Sequence, residues 1–282
     1  MSHFFLPSSP VQVLALLREF PDAQLMAGGT DLLVRRRKAA PELRAPLIGL
    51  ERVLAWQGVR EDETGVSIGA CTSFSRMLAD PLLAARAPML LAAARCIGGP
   101  AIRNMATLGG NVCTASPAGD SLPPLYVLNA QVELMSPEGC RRVALDQWVT
   151  GPGQTRLGPG EVVTQLWLPR EPSPTHQHFE KVGQRQSMAI AVASFAGVLR
   201  LGPDQRVTEA RFAWGSVGPT VMRVPALESF LLGRKLDAAV TRAAVEQVQR
   251  GVAPIDDVRA SAAYRRALAA NLLLRFLQPF YG

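Results

Sequence analysis

The 282-residue chain reads as an α+β protein built in two parts. Three observations predict this. Helix and strand signals alternate through the first third, two helices around a glycine-rich stretch and then a hairpin signal fill the middle, and three strand-like segments followed by two helical stretches close the chain. The length suits one large domain or two ordinary ones. A proline-rich break, Glu171-Pro172-Ser173-Pro174-Thr175-His176-Gln177, falls between about Arg170 and His178. The predicted division is 1–172, with subdomains 1–55 and 56–172, and a smaller part at 173–282.

Each element has a local reason. Ser9-Pro10 is an N-cap followed by proline at the first helical position, which opens a helix to about Phe20. Residues 25–27 form a short strand that runs into Gly28-Gly29-Thr30-Asp31, and 46–50 and 66–70 read as further buried strands, followed by a helix near 73–78. A helix at about 88–96 leads into a glycine-rich stretch from Ile97 to Asn111, to which no element is assigned. Asp120 or Ser121 can cap a helix through Asn129, with Pro123 and Pro124 tolerated in its first turn. Strands at 131–135 and 142–145 flank Pro137-Glu138-Gly139, a hairpin signal, and 161–168 is a strand closed by Pro169. Beyond the break come strands at 179–183, 191–201 and 210–217, then helices at about 225–251, interrupted near Gly233, and 261–277.

Composition excludes several functions. At 48% hydrophobic the chain can build a substantial core, yet no stretch approaches the roughly 18 unbroken apolar residues that cross a bilayer. The amino terminus has neither a basic region nor a long apolar run, so the expected location is the cytoplasm. Cys71, Cys96, Cys113 and Cys140 lie far apart with no C-x-x-C pair, which predicts no metal or iron–sulfur cluster in this chain. His176 and His178 form an H-x-H pair in the proline-rich segment, with no third ligand in view. Net charge is +7, and the run Arg35-Arg36-Arg37-Lys38 lacks the interleaved aromatics of a nucleic-acid module. It reads as a solvated loop or a docking surface for an acidic partner, with no nucleic acid expected.

Most enzyme signatures are missing, including G-x-G-x-x-G after a strand, the P-loop and G-x-S-x-G. Two glycine pairs remain: Ala27-Gly28-Gly29-Thr30-Asp31-Leu32 directly after a strand, and Ala106-Thr107-Leu108-Gly109-Gly110-Asn111. Paired glycines permit positive φ and let backbone N–H groups converge with no side chain in the way, a nest that suits the pyrophosphate of a dinucleotide. Either pair alone reads as a tight turn. Two in similar settings favour a ligand without naming it.

The segments 25–32, 68–72 and 102–120 resemble the FAD-binding subunits of the molybdenum hydroxylase family, which includes xanthine dehydrogenase, carbon monoxide dehydrogenase and 4-hydroxybenzoyl-CoA reductase. The third, running Ile102-Arg103-Asn104-Met105-Ala106-Thr107-Leu108-Gly109-Gly110-Asn111 and on through Asp120, is the specific one. The likeness extends through Glu161–Pro169, Phe179-Glu180-Lys181 and Tyr264-Arg265-Arg266, in the family's order and spacing.

The resemblance implies a two-part FAD-binding domain of the vanillyl-alcohol oxidase (PCMH) type over 1–172, and a smaller carboxyl-terminal α+β domain with a three-stranded sheet and helices over 173–282. It implies non-covalent FAD held by Leu25, Met26, Ala27, Gly28, Gly29, Thr30, Asp31 and Leu32 around the pyrophosphate, and by Thr107, Leu108, Gly109, Gly110 and Asn111 in a second loop. Ile97, Thr114, Asp120, Val163 and Lys181 complete the set. Thr114 and Asp120 match positions near the isoalloxazine and the ribityl or adenosine portion. Val163 and Lys181 match positions flanking the ring, where a fixed lysine cation would favour an anionic reduced flavin. The implied activity is electron relay between the [2Fe-2S] centres of a small partner subunit and NAD or another acceptor. A large molybdopterin subunit would complete a heterotrimer or its dimer.

Departures limit what carries over. The cysteine-rich insertion of the reductase β subunits is missing, which disfavours a reductase of that kind, and Gln184-Arg185-Gln186-Ser187 replaces an acidic residue of several relatives. Cys113 reads as a buried small residue. Two other readings stay open: a self-contained FAD-dependent oxidase or reductase of the same fold, and a non-enzymatic scaffold with empty loops. The three tyrosines, Tyr126, Tyr264 and Tyr281, fall in predicted helices or at the tail, which argues against a substrate pocket over the flavin.

Overall fold

The computed structural model describes residues 3–37, 45–172, 174, 176–185 and 188–280. The chain forms two compact units that share the sequence unevenly: the first takes 1–86, 98–115 and 129–170, the second 87–97, 116–128 and 171–282.

In the first unit, three short strands form a parallel sheet in the order Phe4–Phe5, Leu47–Gly49, Gln24–Met26. The helix Pro10–Glu19 covers it. Ser9 caps that helix by accepting the Gln12 N–H at 3.3 Å, and Pro10 occupies its first turn. Its inward residues Val13 and Leu17 join Ile48, Leu50, Val53 and Trp56 in one core. A five-stranded antiparallel sheet follows, ordered Val59–Glu61, Gly65–Gly69, Val162–Pro169, Gln131–Ser136, Gly139–Ala144. The hairpin forms as expected, but Leu145 starts the one-turn helix Leu145–Trp148 instead of ending a strand.

The glycine-rich stretch is largely helical. Pro100–Met105 starts on a proline, and Leu108–Thr114 starts behind Thr107, whose hydroxyl accepts the Gly110 N–H at 3.1 Å. Capping and tertiary contact outweigh the weak helix propensity of glycine here.

The second unit is a three-stranded antiparallel sheet, His176–Gly183, Ala191–Leu201, Val207–Gly215. The first nine residues of the central strand are all buried, which explains why Ser194 is the one polar side chain among them. Phe195 and Trp214, paired across strands, pack with ring centroids 5.4 Å apart, and Phe195 meets Phe276 of the helix Ala262–Leu277 edge-on. The alternate positions Ser194 and Gly215 face Pro117 and Pro123, beside and in the helix Leu122–Val127. His176 and His178 lie in a strand, not a proline-rich loop, with rings stacked 6.4 Å apart and Glu180 at 3.4 Å from His178.

Arg265 ties this unit together. It is 3% exposed, and its Nη1 donates to the carbonyls of Val192 at 2.8 Å and Ser216 at 2.9 Å, while Nη2 donates to Asp257 at 2.6 Å. The Arg259 N–H, together with Arg265, holds the Asp257 carboxyl down at about 2. Replacing Arg265 with alanine leaves two carbonyls without donors, so R265A should lower unfolding free energy by roughly 3 kcal/mol in urea titration.

Candidate functional site

The strand Gln24–Met26 ends at the carboxyl edge of the parallel sheet and releases the chain into Ala27-Gly28-Gly29-Thr30-Asp31. Of the four glycines in the two pairs, only Gly29 has positive φ, at 69°. Gly28 is needed for a different reason: a Cβ there would fall on the Met105 carbonyl, far inside van der Waals contact. Among the described residues, the N–H groups of Ala27, Gly28, Gly29 and Thr30 meet no acceptor.

The second pair behaves otherwise, which corrects the expectation of two similar nests. Gly109 and Gly110 sit in the first turn of Leu108–Thr114, in ordinary helical conformation. Their amides are already engaged. Leu108 N–H donates to Thr72 at 3.1 Å, Gly109 N–H to Ala70 at 2.9 Å and Gly110 N–H to the Thr107 hydroxyl at 3.1 Å. Gly109 serves close packing, because a Cβ there would lie 2.5 Å from the Ala70 Cβ. The two motifs meet through Thr114, whose hydroxyl lies 2.9 Å from the Gly110 carbonyl and 3.1 Å from the Asp31 carboxylate and shares its one proton between these two acceptors.

Two cavities adjoin the free amides. One, of about 520 Å³, is lined by Leu25, Ala27, Leu32, Gly109, Gly110 and Val163 from the expected set, and by Cys71, Cys113 and the segment 157–162 that sequence reasoning missed. The other, of about 220 Å³, takes Ala27, Gly28 and Thr107 together with Gln57, Arg76 and Asn104. Ala27 and Cys71 border both. Met26, Gly29, Thr30, Asp31, Asn111 and Thr114 stand beside these walls without lining them, and Leu108 is fully buried. Gly158-Pro159-Gly160-Glu161 was the available signal for the missed wall, a turn directly before a strand.

Cys113 faces the larger cavity with accessible surface, not buried as expected. It is nonetheless enclosed on a concave wall, and that desolvation pushes its thiol up to about 12; burial pushes Cys71 to about 12 as well. Both thiols are neutral at pH 7 and poor nucleophiles. Arg35 and Arg36 lie in the helix Leu32–Arg36, not a loop; Arg35 pairs with Asp31, and Arg36 bonds Gln24 and the Ala45 carbonyl. Lys38 and Tyr281 lie outside the described residues.

Ile97, Asp120 and Lys181 belong to the second unit. Lys181 is neither a free cation nor a surface lysine. Its Nζ donates to Asp120 at 2.6 Å and to the Cys96 carbonyl at 3.1 Å, with both side chains about one-tenth exposed. Burial pushes the Asp120 carboxyl up to about 6 despite Lys181, and its second oxygen is buried without a partner.

A family model described as the FAD binding domain in molybdopterin dehydrogenase matches residues 1–171. The chain belongs to this flavoprotein family. The CO dehydrogenase flavoprotein C-terminal domain matches 178–280. The xanthine dehydrogenase FAD-binding subunit of Escherichia coli O157:H7 is 33% identical over 260 residues, covering 91% of this chain and 88% of the relative. The carbon monoxide dehydrogenase medium chain of Hydrogenophaga pseudoflava is 32% identical over 279 residues, covering 98% and 96%. Solved carbon monoxide dehydrogenase from that organism, lacking the Mo-pyranopterin moiety, superposes with a TM-score of 0.91 at 30% identity, covering 100% and 98%. The protein is thus an FAD-binding medium subunit of the molybdenum hydroxylase family, an oxidoreductase flavoprotein of xanthine and carbon monoxide dehydrogenase type. Its α+β fold is the one expected from the sequence. No helix among the described residues is long and apolar enough to cross a membrane, and no three of their His, Cys, Asp or Glu side chains group to hold a metal.

Two outcomes follow for this flavoprotein. Gly28→Ala should lower its unfolding free energy by about 3 kcal/mol through overpacking against Met105, while Gly110→Ala stays within about 1 kcal/mol of wild type, as urea titration without flavin will read. For Asp120 the folded pKa lies above the ordinary 3.8, so the folded state binds the extra proton between about 4 and 6. Its stabilising contribution is complete below that window and is lost as pH rises through it. Wild type should therefore lose stability relative to D120N between pH 4 and pH 6 in thermal unfolding; parallel curves contradict the assignment.

Proposed function

We propose that this chain is the electron relay of a molybdenum-containing hydroxylase complex, taking electrons from the [2Fe-2S] centres of a small partner subunit and passing them to NAD or another acceptor. The observation that carries the reading is the row of four unpartnered amides, Ala27 to Thr30, which begins at Ala27 in the wall of a cavity of about 520 Å³. Amides aimed at an anion without a competing side chain suit a pyrophosphate. A cavity of this volume lies within the range of cofactor sites.

In this reading Ala27, Gly28, Gly29 and Thr30 hold the pyrophosphate by backbone donation, and Leu25, Leu32, Gly109, Gly110 and Val163 supply apolar walls. Met26 and Asp31 fix the ends of the loop. Thr107, Leu108, Asn111 and Thr114 fix the helix behind it. The neutral thiols of Cys71 and Cys113 keep the attachment non-covalent. The roles of Ile97, Asp120 and Lys181 rest on the family resemblance. FAD, when bound, supplies the capacity to accept electrons singly and release them singly or in pairs. Substrate oxidation falls to a large molybdopterin subunit in a cytoplasmic heterotrimer or its dimer. The relatives' names, a medium chain and an FAD-binding subunit, support that assembly.

The test is made on the purified chain with and without its partners. Acid precipitation should release yellow FAD into the supernatant, and the chain alone should not oxidise purines, aldehydes or aromatic acyl-CoA esters in a steady-state assay with an artificial acceptor. A colourless chain that cannot be reconstituted with FAD overturns the flavoprotein reading. Substrate turnover by the chain alone overturns the relay.

A further inference from the structure

The cavity of about 520 Å³ takes one wall from the unbroken segment 157–163, of which 157–160 belong to no helix or strand. No ladder holds those four residues, so other bonds must. They come from Arg141, on the edge strand Gly139–Ala144. Arg141 Nε donates to Glu161 Oε1 at 2.6 Å and Nη2 to Glu161 Oε2 at 2.8 Å, a two-pronged charge-assisted pair. The same Nη2 donates to the Arg156 carbonyl at 3.3 Å. One guanidinium therefore grips the residue on each side of the loop.

Glu161 completes the grip from within. Its Oε2 accepts the Gly158 N–H at 2.7 Å, and its own N–H donates to the Gly158 carbonyl at 3.2 Å. Gly158 leaves room for this, since a Cβ would lie 2.9 Å from Glu161 Oε2. The hydrogen bonds from Arg141, with that from Gly158, hold the Glu161 carboxyl below the usual carboxylate range, so the pair stays charged at neutral pH. Arg141 does not line the cavity.

We propose that Arg141, acting through Glu161, is a positioning residue for the flavin, holding loop 157–160 as a standing wall of the cofactor cavity. The proposal rests on the flavoprotein reading. An isolated surface ion pair contributes little to folding. This pair differs because it orders a loop beforehand, so that binding does not bear the entropy of ordering it.

The full chain carrying R141M or R141K tests this by two measurements: amide hydrogen exchange in the flavin-free form, and FAD release followed by fluorescence in the loaded form. R141M should speed exchange at Gly158 and Glu161, whose N–H groups are bonded across the loop, and raise the FAD release rate about tenfold, the scale of one or two side chains' ordering. R141K keeps the charge but not the fork, and should fall between. Wild-type FAD binding with an unchanged release rate in R141M overturns the positioning role alone. So does unchanged exchange in the loop. A wild-type chain that takes up no FAD overturns the flavoprotein reading and this proposal with it.

Discussion

The first unit depends on the contact of the Gly28 backbone with the Met105 carbonyl, an approach that any side chain would forbid. It is matched by Gly109 against Ala70, and the N–H groups of Leu108 and Gly109 turn that closeness into hydrogen bonds to Thr72 and Ala70. Strand end, loop and helix are thus joined through main chain, with Thr114 to Asp31 as the side-chain link. The result is a loop, Ala27–Thr30, that presents backbone N–H groups in place of side-chain cations. Arg35 and Arg36, the nearest cations in sequence, are turned to Asp31, Gln24 and the Ala45 carbonyl. Recognition of this kind is geometric, because amides cannot swing to meet a misplaced ligand.

Much of the fold was legible because local chemistry and tertiary need agree. Ser9-Pro10, Asp237 and Ser261 stand at helix starts and accept the backbone N–H three residues on, and the central strand of the second unit has the predicted ends, Ala191 and Leu201. The helix Leu108–Thr114 was not legible, because glycine pairs signal turns more often than helices and its stability comes from contacts with Ala70 and Thr72. In the candidate site, the loop Ala27–Thr30 could be read from composition. That the second pair has no free amides could not, since Gly109 finds its acceptor at Ala70, far away in the sequence, and the Thr107 hydroxyl that takes the Gly110 N–H does so only because a helix starts there. The Asp120–Lys181 pair spans 61 residues and left no periodic signal.

Arginine is the structural cation of this chain. Arg265 joins the carbonyls of Val192 and Ser216, Arg141 joins Arg156 and Glu161, and Arg223 pairs with Glu228, which also accepts the Phe212 N–H. A planar fork can satisfy two acceptors at once, which a lysine ammonium does less selectively. The formal charge of +7 is therefore a poor guide to surface function, because many of these guanidiniums are tied to carboxylates or carbonyls.

The uneven sharing of the sequence between the two units bears on biosynthesis. Residues 87–97 and 116–128 are made early, but the sheet they pack with, at 176–215, is translated much later. Until those strands emerge from the ribosome, Met89, Leu90, Leu91 and the whole of Leu122–Val127 lack the sheet they pack against. The nascent chain carries this apolar surface while residues 129 to 215 are being added, an interval in which a stall in elongation favours aggregation.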